Sequence, residues 1–237
     1  MLKENTYSVV RLAEIPWEDR VNVDGWPSRG GMYCQDTEHQ LTLRLIDYPV
    51  GSVEPRHVHG GTHATTVLRG RAIVDGLTLG PLDVILGPSN EPHGPLTYPE
   101  GCKLFSAFYG SYYHSEVEKL STEKNYRLIQ ARELPWKEIG QGRKVKTLVD
   151  HGCGPVLLQA QRFEPHSRLD VSAQAALHSA LVVEGSAKVG TQTLEAWDFI
   201  RFQMNGEPAT VEFPQGAVLL TVALQREAAK DSGAKTE

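Results

Sequence analysis

The sequence predicts an all-β chain folded as two tandem small barrels or jelly rolls, and three observations carry that expectation. Apolar residues recur at a period of two in short runs, and no amphipathic helix of useful length appears. The 22 glycines and 14 prolines among 237 residues punctuate the chain with turns, as short-stranded folds require. The third observation is an internal repeat. Glu14-Ile15-Pro16-Trp17 recurs as Glu133-Leu134-Pro135-Trp136, and a constant offset of 115 then aligns Leu68-Arg69-Gly70 with Val183-Glu184-Gly185. The same offset pairs Thr78-Leu79 with Thr193-Leu194, Asp83-Val84-Ile85 with Asp198-Phe199-Ile200, and Gly101 and Leu104 with Gly216 and Leu219. Each match is weak alone; the shared spacing makes them a repeat.

Taken in order, residues 1–7 contain no hydrophobic signal region. Leu41, Leu43 and Leu45 alternate with Thr42 and Arg44, a strand signature. Val67-Leu68 and Ala72-Ile73-Val74 flank Arg69-Gly70-Arg71, which reads as a hairpin. Residues 82–86 and 103–109 are further strands. The first unit spans residues 1–114, residues 115–125 form a polar linker, the second unit spans 126–226, and 227–237 is a small, charged, frayed tail.

Composition narrows the function. Hydrophobic content of 40% and charged content of 22% suit a soluble globular protein. A net charge of −5 argues against a nucleic-acid partner, which calls for a basic stripe, and no apolar run reaches membrane-spanning length. Three scattered cysteines, Cys34, Cys102 and Cys153, suggest free thiols in a reducing compartment, the cytoplasm.

The chemistry concentrates in His57-Val58-His59-Gly60-Gly61-Thr62-His63, with His93 returning later. Side chains two apart on a strand share a face, so His57 and His59 can address one point. Gly60 and Gly61 allow a tight reversal, after which His63 starts a facing strand. The arrangement reads as a metal cradle of His57, His59, His63 and His93. Imidazole suits Zn, Cu, Fe and Ni alike. Either all four rings bind, or three bind and His63 serves as a proton shuttle.

These residues resemble the cupin family, whose first motif is an H-x-H pair followed by a Glu and a Gly, and whose second is a Gly-led strand with a Pro turn and a His. Here the first reads His57, His59, His63 and Gly70, and the second Gly80, Asp83, Pro88 and His93. The two copies make the chain similar to bicupins, and the resemblance implies two tandem cupin barrels and a homodimer. His63 stands where the family often has Glu. That replacement makes a divalent site about one charge unit more positive, which favours an anionic or enolisable small-molecule substrate. In the second copy the ligand positions fall on Ser172, Gln174, His178 and Pro208, so that barrel reads as degenerate: a packing partner, a gating half or a metal-free pocket.

The similarity to three-His cupin dioxygenases implies a mononuclear non-haem enzyme with Fe(II) first and Zn, Ni or Mn as alternatives. A metal-dependent isomerase or lyase is the second expectation. Residues 100–105, with the segment around Trp26, also resemble cupin-type anti-sigma factors, which implies a non-enzymatic sensor. Arg44 and Tyr109 are the candidate catalytic residues: Arg44 to hold an anion unless it points outward, Tyr109 unless it packs between barrels. Glu91 is placed to orient an imidazole, Glu54 reads as a solvated turn residue, and Cys102 as a small core hydrophobe.

Overall fold

Leu41, Leu43 and Leu45 do alternate with Thr42 and Arg44, yet all five are buried, because the strand Leu41–Tyr48 is covered on both faces. The computed structural model describes residues 7–21, 27–112, 114–116 (backbone only), 126–150, 156–171, 177–203 and 209–224. Trp26, Tyr113, the His114 side chain, Cys153, Ser172, Gln174, Pro208, the linker beyond Glu116 and the tail 227–237 lie outside them.

The described residues form an all-β structure of two barrels, each a large sheet facing smaller ones. One 7-stranded sheet runs, in spatial order, Arg127–Ile129, Val84–Gly87, Thr62–Gly70, Cys102–Tyr109, Leu41–Tyr48, Pro27–Asp36 and Trp17–Val21. The other runs Tyr7–Val10, Phe199–Phe202, Leu177–Gly185, Ala217–Leu224, Val156–Phe163, Arg143–Val149 and Lys137–Glu138. The two sheets pack face to face through Leu41, Leu43, Leu45 and Phe105 on one side and Leu158, Leu181, Phe199 and Leu220 on the other. Each such side chain is worth about 2 kcal/mol when fully buried, so this layer is a folding core and not a loose contact between domains. Tyr33 crosses it, stacking on Phe199 at 5.0 Å and donating its hydroxyl to the Trp197 carbonyl at 2.7 Å.

The halves also exchange strands. Tyr7–Val10 pairs with Phe199–Phe202 in the second barrel, and Arg127–Ile129 pairs with Val84–Leu86 in the first. The sheets therefore cross the boundaries expected at 1–114 and 126–226. Within the expected linker, Ser115 and Glu116 continue the strand His114–Glu116, which pairs with His57–His59.

The 115-residue repeat has a three-dimensional counterpart. Leu82 and Trp197, equivalent by that offset, both adopt left-handed backbone with φ of 70° and 72°, a costly geometry for bulky residues. Each is followed by an aspartate that clasps an exchanged segment. Asp83 accepts from the Gly80 amide at 2.8 Å and the Ala131 amide at 2.7 Å. Asp198 accepts from the Glu195 amide at 3.0 Å and the Leu12 amide at 2.9 Å, and Arg11 adds an ion pair at 2.8 Å. Ala131 and Leu12 open the two short 3-10 turns that carry the repeated Glu-x-Pro-Trp motif.

A polar cluster closes one edge of the interface. Asp36 Oδ2 accepts from His178 Nε2 at 3.0 Å, His39 Nδ1 at 3.1 Å and Arg201 Nη2 at 2.6 Å. Burial opposes the charge on Asp36, but these donors and the His39 amide outweigh it and hold the carboxyl well below its usual range. Burial dominates at His178 and lowers its pKa, against the attraction of Asp36. His178 is thus structural, not a lumen ligand. Among the described residues no helix is long and apolar enough to cross a membrane.

Two outcomes follow from these contacts. Asp83→Ala strands the buried Ala131 amide, so the urea midpoint should fall by an amount equivalent to about 1–3 kcal/mol; a change under about 0.5 kcal/mol would show the clasp to be dispensable. Unfolded, His178 takes up a proton near pH 6.5, whereas the folded ring resists it, so stability should drop as pH falls below about 6.5. A second loss should begin below about pH 4, where unfolded Asp36 protonates before the folded one. Denaturation midpoints against pH check this: His178→Gln should flatten the first limb by about one proton's worth of slope, about 1.4 kcal/mol per pH unit.

Candidate metal centre

Local sequence explains how four imidazoles enter one barrel. His57 and His59 flank Val58 on the short strand His57–His59 and point the same way, their Nε2 atoms 3.2 Å apart. His93 arrives by backbone pairing. The His57 amide donates to the His93 carbonyl and the His93 amide to the His57 carbonyl, both at 3.0 Å. His63 lies on Thr62–Gly70, opposite Gly87 and Phe108. All four rings are buried. The double glycine serves a purpose other than the expected one. Neither Gly60 nor Gly61 takes left-handed backbone; a Cβ on Gly61 would fall 2.4 Å from the Tyr109 carbonyl oxygen. Space, not conformational freedom, demands glycine there.

Second contacts fix the tautomers. Nδ1–H of His57 donates to the Pro55 carbonyl at 2.7 Å, and Nδ1–H of His93 donates to the Glu91 carbonyl at 3.2 Å. Glu91 thus orients an imidazole through its backbone. Nδ1 of His63 meets Thr65 Oγ1 at 3.2 Å, which in turn meets Ser106 Oγ at 3.0 Å. With Nδ1 engaged, the Nε2 lone pairs of His57 and His93 are left for a cation, the arrangement typical of metal-bound histidine. One donor atom each from His57, His59 and His93 lie within 4.8 Å of one another.

His63 borders this trio, with ring centroids 4.7 Å from His59 and 4.6 Å from His93. Its Nε2 is buried without a hydrogen-bond partner, which costs about 1–3 kcal/mol if nothing satisfies it. Burial first, then the His93 and His57 rings, hold its pKa well below the usual imidazole value. The ring fits only because residue 87 is glycine: a Cβ there would lie 2.3 Å from His63 Nε2.

The residues fit a divalent ion. Two nitrogens bound to one ion at about 2.0–2.1 Å stand roughly 3 Å apart, close to the His57–His59 spacing, and the donors are neutral imidazoles in a buried pocket.

The candidate catalytic residues fare differently. Tyr109 packs against the inter-barrel core with Phe105 and Ala107, because strand alternation on Cys102–Tyr109 sends odd-numbered residues outward and Ser106 and Phe108 inward. The catalytic expectation for Tyr109 is therefore corrected. Arg44 is 6% exposed on the inner face, opposite Ser106. Its guanidinium crosses Gly30, where a Cβ would meet Nη2 at 2.6 Å, and lies 5.5 Å from the Tyr112 ring. No carboxylate forms an ion pair with it among the described residues. Cys102 is buried, and burial, aided by Glu54 and Asp47, pushes its thiol up to about 12.

Glu54 is the residue that sequence reasoning missed. Instead of facing solvent, its side chain is 14% exposed, with Oε2 accepting the Tyr98 hydroxyl at 2.7 Å and Oε1 3.6 Å from His57 Nε2. The Pro55 break between two short strands was the available signal, since it interrupts alternation. The second barrel differs throughout: its lumen is filled by Phe163, Leu169, Val182, Ile200, Val211 and Phe213, with Phe163 stacked on Phe213 at 3.9 Å.

His57→Ala and His93→Ala should each weaken divalent-ion binding on the order of 100-fold or more, read by calorimetry on chelator-stripped protein. Gly87→Ala should weaken it by displacing His63, and the double variant Gly87→Ala/His63→Ala should be no worse than His63→Ala alone. Additive losses would show that Gly87 acts elsewhere.

No family model matches the chain, and no curated protein matches it. Solved structures do. A putative dioxygenase from Nostoc punctiforme PCC 73102 superposes with a TM-score of 0.72 at 13% identity, over 96% of this chain and 85% of that one. An oxalate decarboxylase from Lactobacillus farciminis, solved as its formate complex, gives 0.66 at 11% identity, over 94% and 88%. A variant of Bacillus subtilis oxalate decarboxylase gives 0.65 at 13% identity, over 96% and 78%. Identities this low show the fold alone, and that fold is the cupin-like double barrel.

Proposed function

We propose that the chain is a mononuclear metal-dependent cupin enzyme, a non-haem iron dioxygenase acting on a small anionic or enolisable substrate. The observation that carries this reading is the convergence of three buried imidazoles, His57, His59 and His93, two of them locked by Nδ1 contacts into the metal-binding tautomer. The putative dioxygenase among the structural neighbours supports the reaction class. When bound, a divalent ion supplies Lewis acidity and, where it is Fe(II), one-electron redox chemistry; Zn, Ni and Mn are the alternatives.

The chain's own residues supply the rest. Val67, Ile85, Leu96 and Leu104 belong to the apolar core of the same barrel, and Phe108 packs edge-on against His59 at 4.9 Å. Arg44, a buried guanidinium with no ion pair among the described residues, anchors the negative end of the substrate. Thr65, bonded to both His63 and Ser106, fixes the orientation of the His63 ring through its Nδ1. The second barrel acts as scaffold. Two buried free thiols, Cys34 and Cys102, fit a cytoplasmic protein, and a homodimer belongs to the same reading.

A lyase or isomerase is the second reading, favoured by the oxalate decarboxylases among the neighbours. Metal analysis of native protein, followed by oxygen-electrode assays on enolisable diketones and hydroxyketones, separates the two. The dioxygenase reading expects bound iron and oxygen uptake equimolar with substrate. Turnover that persists without oxygen, or after zinc replacement, would establish the lyase reading instead.

A further inference from the structure

We infer that Arg44 seats a monocarboxylate at the edge of the first barrel's lumen, so that the substrate is held by a carboxylate tail remote from its reacting carbons. The inference deepens the anion-anchor part of the reading above and rests on the first barrel being the substrate site. Register gives the position. Thr65 pairs with Ser106, Ser106 with Arg44 and Arg44 with Met32, so one row across the sheet carries these side chains on the face that bears His63. The guanidinium extends along that face away from the strand of His63. Its Nη2 passes over Gly30, where a Cβ would stand only 2.6 Å from it. The strand of Gly30 lies three strand spacings from that of His63, about 14 Å measured along the sheet. The carboxylate end and the reacting end are therefore different parts of one molecule, separated by several bonds.

The charges around the seat call for one negative group. Glu18 stands opposite Gly30 in register and pairs with Arg20 at 3.2 Å; Arg20 Nε lies 3.7 Å from the same Gly30 Cβ position. Asp19 and Arg29 form a further pair at 3.4 Å. With these charges matched, Arg44 is one guanidinium in excess. It is 6% exposed, and its Nε is buried without a hydrogen-bond partner. Burial first, then the like charge of Arg20, holds its pKa below the usual guanidinium value, against the attraction of Tyr112, Glu18 and Tyr48. A cation this poorly compensated has the most to gain from an anion.

A carboxylate supplies what is missing. Its two oxygens accept from Nε–H and an Nη–H in parallel, the bidentate fork that a lysine cannot offer. Its single charge matches the single excess, whereas a phosphate group brings about −1.5 to −2. The Tyr112 ring, 5.5 Å from the guanidinium carbon, adds an aromatic wall beside the seat, which suits an aryl-bearing carboxylate.

The test is calorimetry on full-length, chelator-stripped protein titrated with benzoate, 4-phenylbutyrate, oxalate and inorganic phosphate, so that neither metal nor turnover enters. Wild type should bind one monocarboxylate per chain, more tightly than oxalate or phosphate. Arg44→Gln should weaken that binding on the order of 10- to 100-fold. Arg44→Lys, which keeps the charge and loses the fork, should fall between the two, and Gly30→Ala should weaken binding by displacing the guanidinium. Equal affinity in wild type and Arg44→Gln, no binding of either monocarboxylate by wild type, or a preference for phosphate or oxalate would each overturn the inference. A protein that holds iron and consumes oxygen but fails this titration loses the carboxylate seat and keeps the metal-dependent reading. One that binds benzoate through Arg44 but takes up no metal does the reverse. Should Arg44→Gln fail to fold by circular dichroism, Gly30→Ala decides: undiminished benzoate affinity there overturns the inference.

Discussion

Four imidazoles lie buried within a few ångströms of one another, and the barrel around them is built to hold that cluster. A charged ring in this space would lose its hydration and face its neighbours' like charge. A neutral imidazole has one donor and one acceptor nitrogen. In His57 and His93 the donor is spent on a backbone carbonyl two residues upstream; in His63, Nδ1 is engaged by a threonine hydroxyl. The Nε2 lone pairs of His57 and His93 are thereby left for a cation, and the paired His57 and His93 backbones hold the two rings side by side.

Holding such a cluster requires rigid walls, which explains a second barrel without a comparable histidine group among its described residues. The sheet that carries His63 is backed by apolar side chains of the other barrel and edged by a strand contributed from beyond the linker region. Aspartate clasps at Asp83 and Asp198 tie each exchanged segment to the turn that carries a strained left-handed residue. The second barrel fills its own lumen with aromatic and branched side chains. It packs against the back of the first barrel through the shared apolar layer.

How far the sequence disclosed this follows from which features are local. The histidine pair, the double glycine and the 115-residue repeat are patterns within short windows, and they led to the fold and to the metal cluster. The exchanged strands were hidden because a repeat offset says which segments are equivalent, not which sheet each one joins. Tyr109 was misjudged because its strand is covered on both faces, so that burial pattern does not say which face is the lumen. Glu54 was misjudged because a carboxylate before a proline looks like a turn; only the inward aim of its neighbours Tyr98 and His57 distinguishes it.

His63 and His178 show how little separates chemistry from packing. They occupy equivalent positions 115 residues apart, each on the third strand of its seven-stranded sheet, and both have depressed pKa values caused chiefly by burial. His63 sits in regular pairing with Phe108 and Gly87, so alternation delivers its ring to the lumen. The strand of His178 slips register between Leu177 and Ser179, which makes His178 the extra residue of a bulge. Such an insertion re-aims a side chain, and here the ring meets Asp36 across the interface. One unpaired residue thus converts a lumen donor into a strut between barrels. The same slip removes a polar atom from the second lumen, which is then free to close over with apolar side chains.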